Sequence, residues 1–108
     1  MDTKKVKLKH FIQDVFDTTE IDLETQTVDD LVFNTMEELG EYVAALTVEK
    51  GKKSKVLKET SRQEAVDVII CALSLLKASG GSIQDLRTYG VKKLAKWKNR
   101  VKNRSESC

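Results

Sequence analysis

Proline is absent from this 108-residue chain, and glycine occurs only five times. Proline removes a backbone donor and glycine loosens the backbone, so a sequence nearly without either has few enforced breaks. Alternation of apolar and polar residues is also scarce, which leaves helices as the natural reading. There are two cysteines, Cys71 in an apolar stretch and Cys108 at the end of the chain. That excludes a disulfide framework and predicts free thiols in a reducing cytoplasm. No long hydrophobic run occurs. The longest stretch without a charged residue is 68–76, far short of a membrane span. The first eleven residues carry lysines without a following apolar segment, so they do not read as a secretory signal.

What is present is ordinary in amount and unusual in arrangement. Apolar residues make up 40% and charged residues 33%, as in a soluble globular protein. The length suits one domain, read as 1–104 with a short polar tail at 105–108. The net charge of +2 conceals a segregation: residues 14–49 hold eleven acids and no lysine or arginine, while 92–104 hold seven basic residues and no acid. A shorter basic cluster, with Lys52, Lys53 and Lys55, lies between them. Charge runs are commonly solvated faces, which is the plain explanation for 92–104. The acidic block asks for more, because it contains carboxylates at metal-site spacing.

The periodicity predicts four helices. The first covers about 4–17, with Phe11, Ile12, Val15 and Phe16 as its apolar edge, followed by a polar linker at 18–27. The second, capped by Thr27 and with Asp29 and Asp30 in its first turn, runs to about 49. Its core stripe is read as Val28, Leu31, Val32, Thr35, Leu39, Tyr42, Val43 and Leu46. Ser61 opens the third helix, which Gly80-Gly81 halts, and Ser82 starts the fourth, to about 103. The third helix is apolar on nearly every side, so it must be buried, and its partners from one short chain would cover it poorly. This predicts a homo-oligomer. Its one polar lane is Glu64, Asp67, Cys71 and Ser74.

Two acid pairs carry the chemistry. Glu38/Glu41 on the second helix and Glu64/Asp67 on the third are each spaced i, i+3, which puts both acids on one helix face about 4.5 Å apart along the axis. Two such claws facing each other present four oxygen donors, a set suited to magnesium or manganese. Asp67 lies where no basic residue of its own helix can pair with it from 65 to 76, and burying an unpaired carboxylate is costly. A divalent ion supplies the missing charge, and magnesium on carboxylates leaves positions for water and phosphates. The plain alternatives are that Ser61-Arg62-Gln63-Glu64 forms a capping box and that Glu37, Glu38 and Glu41 are a solvated acidic face.

At these residues the sequence resembles the MazG-like all-α nucleoside triphosphate pyrophosphohydrolases, whose signature is EExxE followed by ExxD. Here it stands as Glu37-Glu38-x-x-Glu41 and Glu64-x-x-Asp67, with the apolar run VIICALSLL after it. The likeness covers about 31–100. It implies an all-α, four-helix-bundle-type domain assembled as a homodimer or tetramer, with Glu38, Glu41, Glu64 and Asp67 as magnesium ligands and Glu37 beside them. It also implies water attack on the α-phosphorus of a nucleoside triphosphate with release of pyrophosphate, and Glu37 or Glu41 as general base or water-positioner. Phosphates would be held by Lys93, Lys96 and Arg100 of the last helix or by Lys52, Lys53 and Lys55 of the loop. Trp97 stands where relatives often have asparagine.

Asn34, one turn before Glu38, is a candidate contact to base or sugar, and Phe33, Tyr42, Tyr89 and Trp97 are the aromatics read as available to stack a base. A deoxynucleotide such as dCTP or dATP is the favoured substrate by that loose similarity. Two alternatives stand beside it: the same carboxylate site acting on another nucleotide of the phosphoribosyl-ATP type, and a non-enzymatic helical module binding nucleic acid through 92–104. The second lacks a helix-turn-helix signature. No membrane partner is expected.

Overall fold

The computed structural model describes residues 7–51 and 59–106. Among them are four helices and no strand: α1 (Leu8–Asp22), α2 (Val28–Glu49), α3 (Ser61–Ala78) and α4 (Ile83–Glu106). The all-helical reading therefore holds. Lys52, Lys53 and Lys55 lie outside the described residues.

α1 runs five residues beyond the expected end at Asp17, through the stretch read as a linker. Polarity did not break it, because it contains neither proline nor glycine and finds local bonds. Gln13 donates to Asp17 at 2.8 Å, and the Thr19 hydroxyl lies 2.7 Å from the Val15 carbonyl and 2.8 Å from Ser74 Oγ. Thr19 is buried and ties α1 to α3.

The start of α2 is the expected one, with Thr27 and Asp30 forming a reciprocal capping box. At the start of α3 the residues differ. Thr60 is the cap and Gln63 its partner, while the Ser61 amide donates to Glu49 at 2.8 Å. Glu64 is thereby released from the capping role that the sequence allowed it. At the far end, Gly81 donates to the Leu76 carbonyl and Gly80, at φ +84°, to that of Lys77. This is a Schellman ending. A Cβ on Gly81 would run into the Leu76 side chain and carbonyl, so the chain can turn tightly here. α4 leaves at 112° to α3, started by reciprocal bonds between Ser82 and Asp85.

α3 is the central element, with α2 and α1 packed against it. α4 makes no extended contact with any of the three, and residues 91–106 are exposed. The four helices thus do not close a bundle within one chain. The Cα radius of gyration is 16.9 Å, against about 13 Å for a compact domain of this length. Buried residues are few among those described: Phe16, Thr19, Leu31 and Ala45. The inward lane of α2 keeps Leu31, Thr35, Tyr42 and Leu46 of the expected stripe and adds Glu38 and Ala45. Val28, Val32, Leu39 and Val43 face outward, as do Val66 and Ile69 of α3. No single helix among the described residues is long and apolar enough to cross a membrane.

Candidate metal centre

The inward lane of α2 and the polar lane of α3 meet at their carboxylates. Glu38, Glu64 and Asp67 are each half-buried, and one oxygen from each lies within 4.8 Å of the others. One oxygen each of Glu38 and Glu64 is buried without a hydrogen-bond partner. Buried polar groups are nearly always paired, so two orphaned carboxylate oxygens side by side require an explanation.

Electrostatics sharpen the point. Loss of hydration pushes the Glu38 carboxyl up to about 7, with the charges of Glu41, Asp67 and Glu64 adding to the rise. Glu64 is raised as well, first by loss of hydration and then by Glu59, Glu41 and Asp67. Glu38 and Glu64 resist ionisation because they lose hydration beside other acids, with no cation among them to offset it. The donor set suits a hard divalent cation. Magnesium–oxygen distances of about 2.1 Å put opposite ligands about 4.2 Å apart, so small side-chain rotations would close the observed spacing. The protein residues that would hold the ion are Glu38, Glu64 and Asp67.

Glu41, expected as the fourth ligand, is exposed and does not join the grouping of three, but its side chain hydrogen-bonds to Glu38 and its charge acts on both Glu38 and Glu64. Glu37 is exposed on the outer side of α2. Lys93, Lys96, Trp97 and Arg100 are exposed on α4 and are not brought to the acids within one chain. No protein-family model, curated protein or solved structure gives a significant match to this chain. The site is therefore read from its own geometry.

One turn from the acids lies a cavity of about 370 Å³ between α1, α2 and α3. Asn34 lines it, and so do Cys71 and Ser74 of the polar lane of α3. The aromatics singled out from the sequence do not. Phe33, Tyr89 and Trp97 are more than half exposed, and Tyr42 borders a separate cleft with Glu49 and Arg62. The aromatic residue in the cavity is Phe11 of α1, a position the sequence marked only as an apolar edge. Burial pushes the Cys71 thiol up, and Glu38 and Asp67 add to the effect against a hydrogen bond with Thr35. A thiol so disposed is a poor nucleophile.

Proposed function

We propose that the protein is a divalent-cation-dependent nucleoside triphosphate pyrophosphohydrolase, releasing pyrophosphate and the monophosphate. The observation that carries this reading is the convergence of Glu38, Glu64 and Asp67 with two orphaned oxygens. The resemblance of Glu37-Glu38-x-x-Glu41 and Glu64-x-x-Asp67 to the MazG-like signature supports it. Bound there, magnesium or manganese would polarise phosphate oxygens and acidify water. Glu41 flanks the three acids and is exposed, which suits it to accept a proton from an attacking water. Glu37 is the secondary candidate for that role.

The working form in this proposal is a homodimer or larger. Val28, Val32, Met36, Leu39 and Val43 form an exposed apolar stripe on α2, with Val66 and Ile69 on α3 and Leu94, Trp97 and Val101 on α4. A second copy is the natural cover for faces that one chain leaves open. Such an assembly would also give Lys93, Lys96 and Arg100 a route to the triphosphate, from a helix that one chain does not fold back.

The deciding experiment is a panel of canonical and modified nucleoside triphosphates with magnesium, reading pyrophosphate. Turnover of at least one, lost on chelation and in Asp67→Asn, is expected. Turnover of phosphoribosyl-ATP alone would move the same centre to a different nucleotide. Silence toward all would end the proposal.

A second reading rests on α4 itself, a projecting helix with a basic run and an exposed tryptophan. Salt-sensitive nucleic-acid binding that is indifferent to chelator and to Glu38→Gln would favour it.

A further inference from the structure

The cavity beside the acids contains groups that the metal centre does not use. α1 presents two adjacent lanes to it, each at i, i+4 spacing. The inner lane is Phe11, Val15 and Thr19, and the outer lane is Asp14, Thr18 and Asp22. Leu31 and Ile70 complete the apolar wall. The volume falls within the range of small-molecule sites.

The cavity is placed to continue the metal centre. Asn34 precedes Glu38 by four residues on α2, and Cys71 follows Asp67 by four on α3, so each helix carries the site onward by about 6 Å. A phosphate group belongs at the cation end, because the carboxylates of Asp14 and Asp22 along the α1 side of the cavity would repel it. What enters the cavity is therefore the remainder of the nucleotide, with its flat and largely apolar ring against Phe11, Val15, Leu31 and Ile70.

The polar groups in the cavity are biased towards accepting. The Thr19 and Ser74 hydroxyls are bonded to one another. Asp14, Thr18, Asp22 and Asn34 are exposed at the cavity's rim and have no hydrogen-bond or ion-pair partner for their side chains among the described residues. Two of these four are carboxylates, which at neutral pH accept and do not donate. A carbonyl oxygen placed against them would meet like charge, whereas an amino group would be bonded.

We propose that this cavity is the base subsite of the centre described above, and that the Asp14 and Asp22 lane of α1 selects bases carrying an exocyclic amino group over their oxo counterparts. The inference rests on the pyrophosphohydrolase reading for its substrate class, but it concerns α1, which lies outside the region of the MazG-like resemblance.

Two measurements on the full chain test it separately from the activity. With magnesium, kcat/KM for dCTP against dUTP, and for dATP against dITP, should favour the amino base by about tenfold or more, the scale of one good hydrogen bond to a charged group. Asp14→Asn and Asp22→Asn should lower that ratio, because an amide can also donate to a carbonyl. Without metal, titrating dCMP and dUMP should shift the backbone NMR signals of Phe11, Asn34 and Cys71, dCMP at lower concentration. Equal turnover of amino and oxo bases would overturn the inference while leaving the activity standing. So would nucleotide shifts confined to α4 or to the Tyr42 cleft. Preferential dCMP binding in the cavity without any triphosphate turnover would uphold the subsite and sink the reaction.

Discussion

Glu38 is the residue on which the acid–base behaviour of the molecule turns. Its carboxyl holds a proton up to about pH 7 in the folded chain, against 4.5 as the ordinary value. Between those values the folded state carries the extra proton and the unfolded state does not, so stability falls as pH rises through that window. Melting temperature measured without metal should accordingly decline from about pH 5 to about pH 8. Glu38→Gln should flatten the decline and raise the melting temperature at pH 8 by a few degrees. A divalent ion competes with that proton, so magnesium affinity should increase as pH rises through 7, with proton release visible by calorimetry in two buffers. An unchanged melting profile with millimolar magnesium at pH 8 would remove the metal centre. The acid spacing that identifies these residues was legible in the sequence. That Glu41 bonds to Glu38 without joining the grouping of three was not, because i, i+3 spacing fixes a helix face but not how far that face turns towards its neighbour.

At the scale of elements, the helix ends govern what the site can be. Because Thr60 and Gln63 close the start of α3, Glu64 is left to join Glu38 and Asp67. Thr60→Ala should cost about 1 kcal/mol in chemical denaturation, the usual loss for a hydroxyl cap. Ser61→Ala should cost less, since Thr60 is the cap and the Ser61 backbone amide that Glu49 bonds is kept in the variant. The reverse order would put the cap at Ser61 and return Glu64 to the helix start. The turn into α4 makes a similar demand. Gly81→Ala should destabilise by about 1–3 kcal/mol, as insertion into a filled position does, because Leu76 occupies the space of the new methyl group. These ends were readable to within a residue, from Ser/Thr caps and from the paired glycines. The error at the end of α1 came from treating polarity as a break, when side-chain bonds to Asp17 and to the Val15 carbonyl sustain the helix.

The whole molecule is an open arrangement of three helices with a fourth projecting from it. Its exposed stripes on α2 and α3 lead to a concrete expectation: sedimentation should give at least a dimer, and the melting temperature should rise with protein concentration. Leu39→Glu, in the middle of the α2 stripe and about half exposed in one chain, should shift the protein towards monomer and lower its melting temperature. A wild-type monomer at micromolar concentration would mean that α4 or another partner covers these faces.

By itself, the sequence determined the helices, their capping signals and the spacing of the acids. Each of these is a local property, set by neighbours within one or two turns. Tertiary structure decided which lane of each helix turned inward, that α4 stayed off the body, and that Phe11, Asp14 and Asp22 came to line a cavity beside Glu38 and Asp67. Those outcomes depend on the rotation and crossing of whole helices against one another, and no local pattern of residues encodes them.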